Sequence, residues 1–410
     1  MGKALMVGSH TTDTMASGVE VNWFGYFSDS TTEANAQASC TEGATFSGMG
    51  SRVIAGNSGT ATFRFRDAGA NGNETFQITT TGANEDATNT DVLSAGDLFD
   101  LGYTDTGTNS TGGWHKINVA FASGHGNFHG SASFGGAVHD VESSTRFISL
   151  AGTLPVDGVT AEDNVEWTVR GYDSFEALQV RVSANARLNT SSFRNRINGA
   201  NGTALVEFAT LVTGLVSDSA VGDAITDGQT INTSITLDTG VEDLTVTFVS
   251  GTLKSSTSKS EIWCHSTAGV ARAASATANY HCIGGSVINL TSLPNDATAR
   301  IKPGFAAVVS NLRCYLSANT YTGNGTLKLY QNGVAVITTT ITASGGAGWY
   351  ENATDTITID DNDELSFEFD EGTSGSITIH SAGFTFAPTG GVAVTRMDDG
   401  WLRAIRRRMH

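Results

Sequence analysis

The feature that most limits what this chain can fold into is that it repeats itself. Phe63-Arg64-Phe65-Arg66-Asp67-Ala68-Gly69-Ala70-Asn71-Gly72 matches Phe193-Arg194-Asn195-Arg196-Ile197-Asn198-Gly199-Ala200-Asn201-Gly202 at seven of ten positions, 130 residues downstream. Leu327-Lys328-Leu329-Tyr330-Gln331-Asn332-Gly333 is a weaker third copy. Each is an alternating run leading into an Asn-Gly pair, the turn chemistry of a β-hairpin. Further pieces return in the same order. Val182-Ser183-Ala184-Asn185 comes back as Leu316-Ser317-Ala318-Asn319, and a polar turn recurs at Ser94–Asp97, Thr226–Gln229 and Asp361–Glu364. A period of this size is long enough for each copy to bury its own core. We therefore read three units, at 1–140, 141–252 and 253–388, followed by a linker and tail at 389–410. Opening strands are expected at Lys3–Val7, Arg146–Leu150 and Glu261–Cys264, with the glycine-rich stretch 124–136 as a linker or long loop.

The units read as all-β. In Thr62-Phe63-Arg64-Phe65-Arg66 the two Phe side chains point one way and the Arg side chains the other; Leu365–Asp370, Ser376–Ile379 and Leu244–Phe248 alternate likewise. Thr suits such strands, and Asn and Gly suit the turns between them. No helical stripe precedes residue 396, and all 4 prolines lie outside ladder interiors. Roughly eight strands per unit predict an antiparallel β-sandwich, jelly roll or Greek key.

Composition removes several functions. A net charge of −18 repels phosphate backbones and anionic lipid, so nucleic acid and membrane are not the expected partners. No apolar run reaches the length of a membrane span, and the N-terminal apolar stretch is too short for a signal peptide. Four cysteines in 410 residues do not make a disulfide scaffold. There is no Gly-x-Ser-x-Gly, no His-Glu-x-x-His and no phosphate-binding loop ending in Lys. The chain reads as a non-enzyme without an obligatory cofactor.

The candidate sites are few. Asp360, Asp361, Asp363 and Glu364 crowd carboxylates into one turn, which makes them the candidate Ca²⁺ site, against a solvated acidic turn. His115, His125, His129 and His139 cluster in sequence; convergence on Zn²⁺ is weighed against a solvated loop. Cys264-His265 and His281-Cys282 could form a disulfide in an oxidising setting, whereas small buried thiols are the expectation. Trp167 and Trp263 are read as core anchors. Trp114 and Trp349, each beside glycines, are read as exposed rings able to stack on a sugar.

The last residues change character. Trp401, Ile405 and Met409 fall four apart, on one face of a short helix, and Arg403, Arg406, Arg407 and Arg408 crowd the rest. So short a helix orders only against a partner, which makes this tail the candidate docking element.

Tandem all-β units rich in Thr, Ser, Asn, Gly and Ala, with the Ala-Asn-Gly hairpins and the Ala95-Gly96-Asp97 turn, resemble the jelly-roll structural proteins of tailed bacteriophages. These decorate heads or build tail appendages. The resemblance covers about residues 1–388 and is one of style. It implies a virion-surface protein without enzyme activity, a homotrimer touching other virion proteins, with a host glycan as a further partner. The alternative is a glycan-binding or adhesion protein using Trp114, Trp349 or the acidic turn.

Overall fold

The structure, a computed structural model, describes residues 3–389 except 10–13, 16–18, 22–24, 27–31, 56–58, 80, 107–109, 141–143, 220–221, 239, 241, 275–278, 287–298 and 371. It is built of antiparallel sheets, with one short α-helix at Glu33–Ala36 and one 3₁₀ turn at Glu162–Asn164 among the described residues.

The repeated decapeptide is a hairpin three times over. Ala61–Asp67, Ser191–Ile197 and Gly325–Gln331 share one in-out burial pattern, and each pairs with the strand that follows it. The turns fall on Ala68-Gly69, Asn198-Gly199 and Asn332-Gly333, where both residues have positive φ, from 48° to 86°. Two successive positive φ values define the tight turn whose twist matches that of the strands. In the first copy the turn is therefore not at Asn71-Gly72. That pair lies in the returning strand, where it has another task. Arg66 donates to Asn71 Oδ1 at 2.6 Å and to the Gly69 carbonyl at 2.6 Å, and pairs with Glu33 at 3.1 Å. Arg196 does the same with Asn201, Gly199 and Glu162. A Cβ on Gly72 or Gly202 would meet the Asp91 or Asn195 side chain at 2.7 or 2.4 Å. The shared sequence is thus one arginine clamp used twice.

Among the described residues each unit has eight principal strands. In the first they are Ala4–Ser9, Val19–Val21, Ala44–Ala55, Ala61–Asp67, Ala70–Ile78, the pair Gly82–Glu85 with Thr90–Leu93, Leu98–Asp105 and Ser110–Phe121. One sheet takes them in the order first, eighth, third, sixth, and the other in the order second, seventh, fourth, fifth. The same two orders recur between His125–His139 and Leu244–Ser255, and again between Ser260–Ala273 and Ser376–Pro388. This is jelly-roll connectivity, three times in tandem. In the first unit Phe46 of one sheet meets Phe65 of the other, ring centroids 5.1 Å apart, at the centre of the core.

Residues 125–139 correct the sequence reading. They form the 15-residue opening strand of the second jelly roll, paired with Leu244–Ser255, and are not a linker or loop. Arg146–Leu150 overlaps the second strand, Thr145–Ile148, and is not an opening strand. The first two jelly rolls accordingly meet at residues 122–124, not near 140. Among the described residues no helix is long and apolar enough to cross a membrane.

Candidate functional site

The three jelly rolls close on one another in a cycle. Their opening strands, Ala4–Ser9, His125–His139 and Ser260–Ala273, touch one another. Beside each runs a two-residue parallel strand, Gly25–Tyr26, Gly152–Thr153 or Gly285–Ser286, bridged to Gly8, Ser131 and Cys264 respectively. Each short strand also contacts the opening strand of the next unit, first to second, second to third and third to first. Gly152 shows how close the approach is: with φ +85°, it would place a Cβ 2.2 Å from the His265 carbonyl oxygen.

The cores follow the same cycle. Phe128, Ala132 and Phe248 of the second jelly roll belong to the core of the first, Trp263 of the third to the core of the second, and Leu5, Val7 and Trp114 of the first to the core of the third. Counted from the parallel bridges, Leu5 is equivalent to Phe128, Trp114 to Phe248 and Val7 to Trp263. The opening and closing strands are buried on both faces as a result. Head-to-tail contacts of this kind either run on or close into a ring. Here they close within one chain.

The second–third junction holds a buried ion pair. Glu261 and Arg313 have fully buried side chains 3.0 Å apart. Glu261 also accepts from Trp263 Nε1 at 2.8 Å and from the Arg170 N–H, while its own N–H donates to Tyr172 Oη at 2.8 Å. Arg313 lies over the Trp263 ring and donates to the Thr168 carbonyl of the second jelly roll. Burial pulls its guanidinium below the ordinary value, with Glu261 opposing that shift. At the rim Arg170 forks onto Glu351 at 2.9 and 2.7 Å. Of these residues the sequence singled out only Trp263, as a core anchor, and Glu261, as the start of an opening strand; it did not point to the ion pair. One signal was available, an arginine shortly before an Asn in Arg52, Arg181 and Arg313, just upstream of the repeat noticed at Asn185 and Asn319.

The first–second junction carries an open polar cleft of about 430 Å³. Lys254 pairs with Glu42, donates to Ser123 Oγ at 3.2 Å and sits 4.1 Å over Phe121; burial lowers its ammonium to about 8. Asp173 accepts from the Ser256 N–H and hydroxyl. Below the cleft Gln179 donates to the Ser39 carbonyl at 2.6 Å, and Arg181 to that of Gln37 at 3.2 Å.

The residues singled out from sequence lie apart from one another. Trp114, expected at the surface, is 3% exposed and seals the third–first junction. Trp349 is half-buried against Trp263 and Tyr315. Trp167 is a buried member of its own, second, core, as expected; Trp263 of the third jelly roll is buried too, but it packs on Trp167 across the junction, centroids 5.1 Å apart, and belongs to the second core. Replacing Trp114 by alanine is expected to cost about 3–5 kcal/mol in a denaturant melt. A change in sugar binding at unchanged stability would contradict that placement.

In the acidic turn Asp363 accepts from the Asp360 N–H, Gln331 and Asn332 at 2.6–2.7 Å. Burial opposes its charge, yet these bonds hold the carboxyl below its usual range. Glu364 pairs with Arg300, and Asp361 accepts from Asn362. Gln229, which carries no charge, closes the equivalent turn at Thr226 in the same way. Among the described residues no group of three or more His, Cys, Asp or Glu is placed to hold a metal.

The four histidines do not converge, and the solvated loop expected around them is a strand. His129 meets Tyr172 Oη at 2.7 Å, His125 meets Ser258, and His115 lies in the closing strand of the first jelly roll. The four cysteines are free and buried; burial pushes Cys264 and Cys282 up to about 12. The docking residues Trp401, Arg403, Ile405, Arg406, Arg407, Arg408 and Met409 lie outside the described residues.

No family model and no curated protein matches the chain. Among solved structures it is similar to the major capsid protein of bacteriophage PM2, at 9% identity and a TM-score of 0.18, over 65% of this chain and 99% of that one. A protein of an archaeal virus reported for its triple jelly roll fold and turret assembly matches at 11% identity and a TM-score of 0.18, over 87% and 82%. The xanthan lyase of Paenibacillus matches at 9% and 0.19, over 83% and 51%. At such TM-scores these likenesses add nothing to the strand orders, on which the jelly-roll assignment rests.

Proposed function

We propose that the protein is a non-enzymatic structural component of a virion, displayed on the surface of a tailed phage as a head decoration, head fibre or tail appendage. The observation that carries this reading is the closed exchange of core residues around the three jelly rolls. That exchange builds a stiff block with threefold character from one chain. In this proposal the ring supplies the symmetry otherwise expected of a homotrimer, and the segment Trp401–Met409 attaches it to a capsid or tail protein.

Antibody against the purified chain, applied to virus particles carrying its gene, is expected to label their surface in negative stain. A gene truncated after Pro388 should yield soluble, folded protein and unlabelled particles. Particles unlabelled in both cases would overturn the reading.

A second reading, a glycan-binding or adhesion protein, is favoured by the cleft at the first–second junction. Its hydroxyls and carboxylates, from Ser123, Thr252, Ser256, Asp173 and Glu176, suit the hydroxyl groups of a sugar. A glycan array tests it, and binding lost in Asp173→Ala would favour it over the first.

A further inference from the structure

The three junctions differ in how an arginine is used. Arg181 of the second jelly roll donates to a carbonyl of the first, and Arg313 of the third to a carbonyl of the second. Arg52 occupies the ladder position of Arg181, since it lies opposite Trp114 as Arg181 lies opposite Phe248. Its guanidinium, turned toward the third jelly roll, makes no hydrogen bond or ion pair with a described residue, and its Nε is buried without a partner. It lines instead a cavity of about 190 Å³, together with Trp114 and Asn84 of the first jelly roll and Arg300 and Lys302 of the third.

The cavity is positively charged within an acidic protein. Glu85 is shared between Lys116 at 2.7 Å and Lys302 at 3.2 Å, and Glu364 lies 3.5 Å from Arg300. Among the described residues that line it, three cations, Arg52, Arg300 and Lys302, therefore face two carboxylates, Glu85 and Glu364. Glu74, behind Lys116, does not restore the balance, because burial pushes its carboxyl up to about 8 and leaves it mostly uncharged at neutral pH. A partly desolvated guanidinium with no acceptor is costly, and its fork matches the paired oxygens of an oxyanion.

We propose that this cavity at the third–first junction binds one small oxyanion group, a carboxylate, phosphate or sulfate. Arg52 is its bidentate contact, Arg300 and Lys302 its flanking charges and Trp114 its apolar wall. The volume is well below the roughly 300–1,000 Å³ of sites for drug-sized ligands, so the group is a free ion or the acidic end of a larger molecule such as a glycan.

Calorimetric titration of the full chain with inorganic phosphate, sulfate and glucuronate, at ionic strength held constant with chloride, tests this. Saturable binding at one site per chain is expected. Arg52→Gln should weaken it about 10-fold or more, while the ligand-free melting temperature changes little because no hydrogen bond or ion pair to a described residue is lost. Lys302→Gln, at the cavity rim, should weaken it less. Binding of phosphate or sulfate alone identifies a free tetrahedral ion, and binding of glucuronate alone an acidic sugar; either supports the site. No saturable binding up to about 10 mM, or equal affinity in wild type and Arg52→Gln, would overturn it.

Discussion

Replacing Glu261 by alanine is expected to destabilise the protein by about 3–5 kcal/mol, the cost of leaving a buried charge without its partner. Arg313 is enclosed at that junction and retains only carbonyl and hydroxyl acceptors once the carboxylate is gone. Trp263 Nε1 and the Arg170 N–H lose their acceptor in the same change. Glu261→Gln should cost less, because its amide oxygen still accepts from one of these donors, although the NH₂ in place of the other oxygen can only donate. The double variant Glu261→Leu with Arg313→Met should be more stable than Glu261→Ala, since no uncompensated charge is left in the junction. Urea melts of the three variants provide the check. A loss below about 1 kcal/mol for Glu261→Ala would mean that water reaches the junction.

Stability is also expected to fall steeply as pH drops below 6.5. Burial pushes His129 and His265 down to about 3, His139 to about 4 and His281 well below its ordinary value. All four are buried and neutral in the native state. In the unfolded chain each takes up a proton near pH 6.5. Above that pH the two states bind equal numbers of these protons; below it the unfolded state binds more, and stability declines until the folded values are reached. The slope is about 1.4 kcal/mol per pH unit per histidine, so each contributes a loss of about 2 kcal/mol at pH 5.

Glu74 works in the opposite sense. Burial raises its carboxyl to about 8, so its contribution is complete below the ordinary value of 4.5 and is lost as pH rises through 8. One group of the four is thereby offset, and the net loss at pH 5 is about 6 kcal/mol, comparable with the roughly 5–15 kcal/mol that holds a domain folded. The maximum should sit near pH 6.5. Denaturant melts at pH 7, 6 and 5 measure the profile, and His139→Leu should flatten it by one proton. Equal stability at pH 7 and pH 5 would show that these rings are protonated in the folded chain.

Much of the architecture was legible because hairpins and half-buried strands are local. Phe63 and Phe65 face a core and Arg64 and Arg66 do not, so period two shows in five residues. The clamp of Arg66 and Arg196 repeats the same atoms, and the sequence match reports it directly. Residues 125–139 were misread for the opposite reason. That strand packs on its own core on one face and on the first jelly roll on the other, so small and apolar residues replace alternation, and its glycines imitate a loop. Trp114 was misplaced on the same ground, since its neighbouring glycines suggested a surface turn.

The sequence alone determined that the chain is all-β, that it repeats, and where the tight turn falls in the third copy. These follow from the preferences of neighbouring residues and from strand periodicity, which act over a few positions. Only the tertiary structure decided that the three jelly rolls close into a ring, and which residues seal it. Equivalent places there are filled by unlike side chains, Leu5 for Phe128 and Val7 for Trp263. One junction is bonded through Glu261 and Arg313, another through Glu85 and Lys302. Packing asks only that a volume be filled and each buried charge be met. Different residues satisfy that demand equally well, so no pattern along the chain records it.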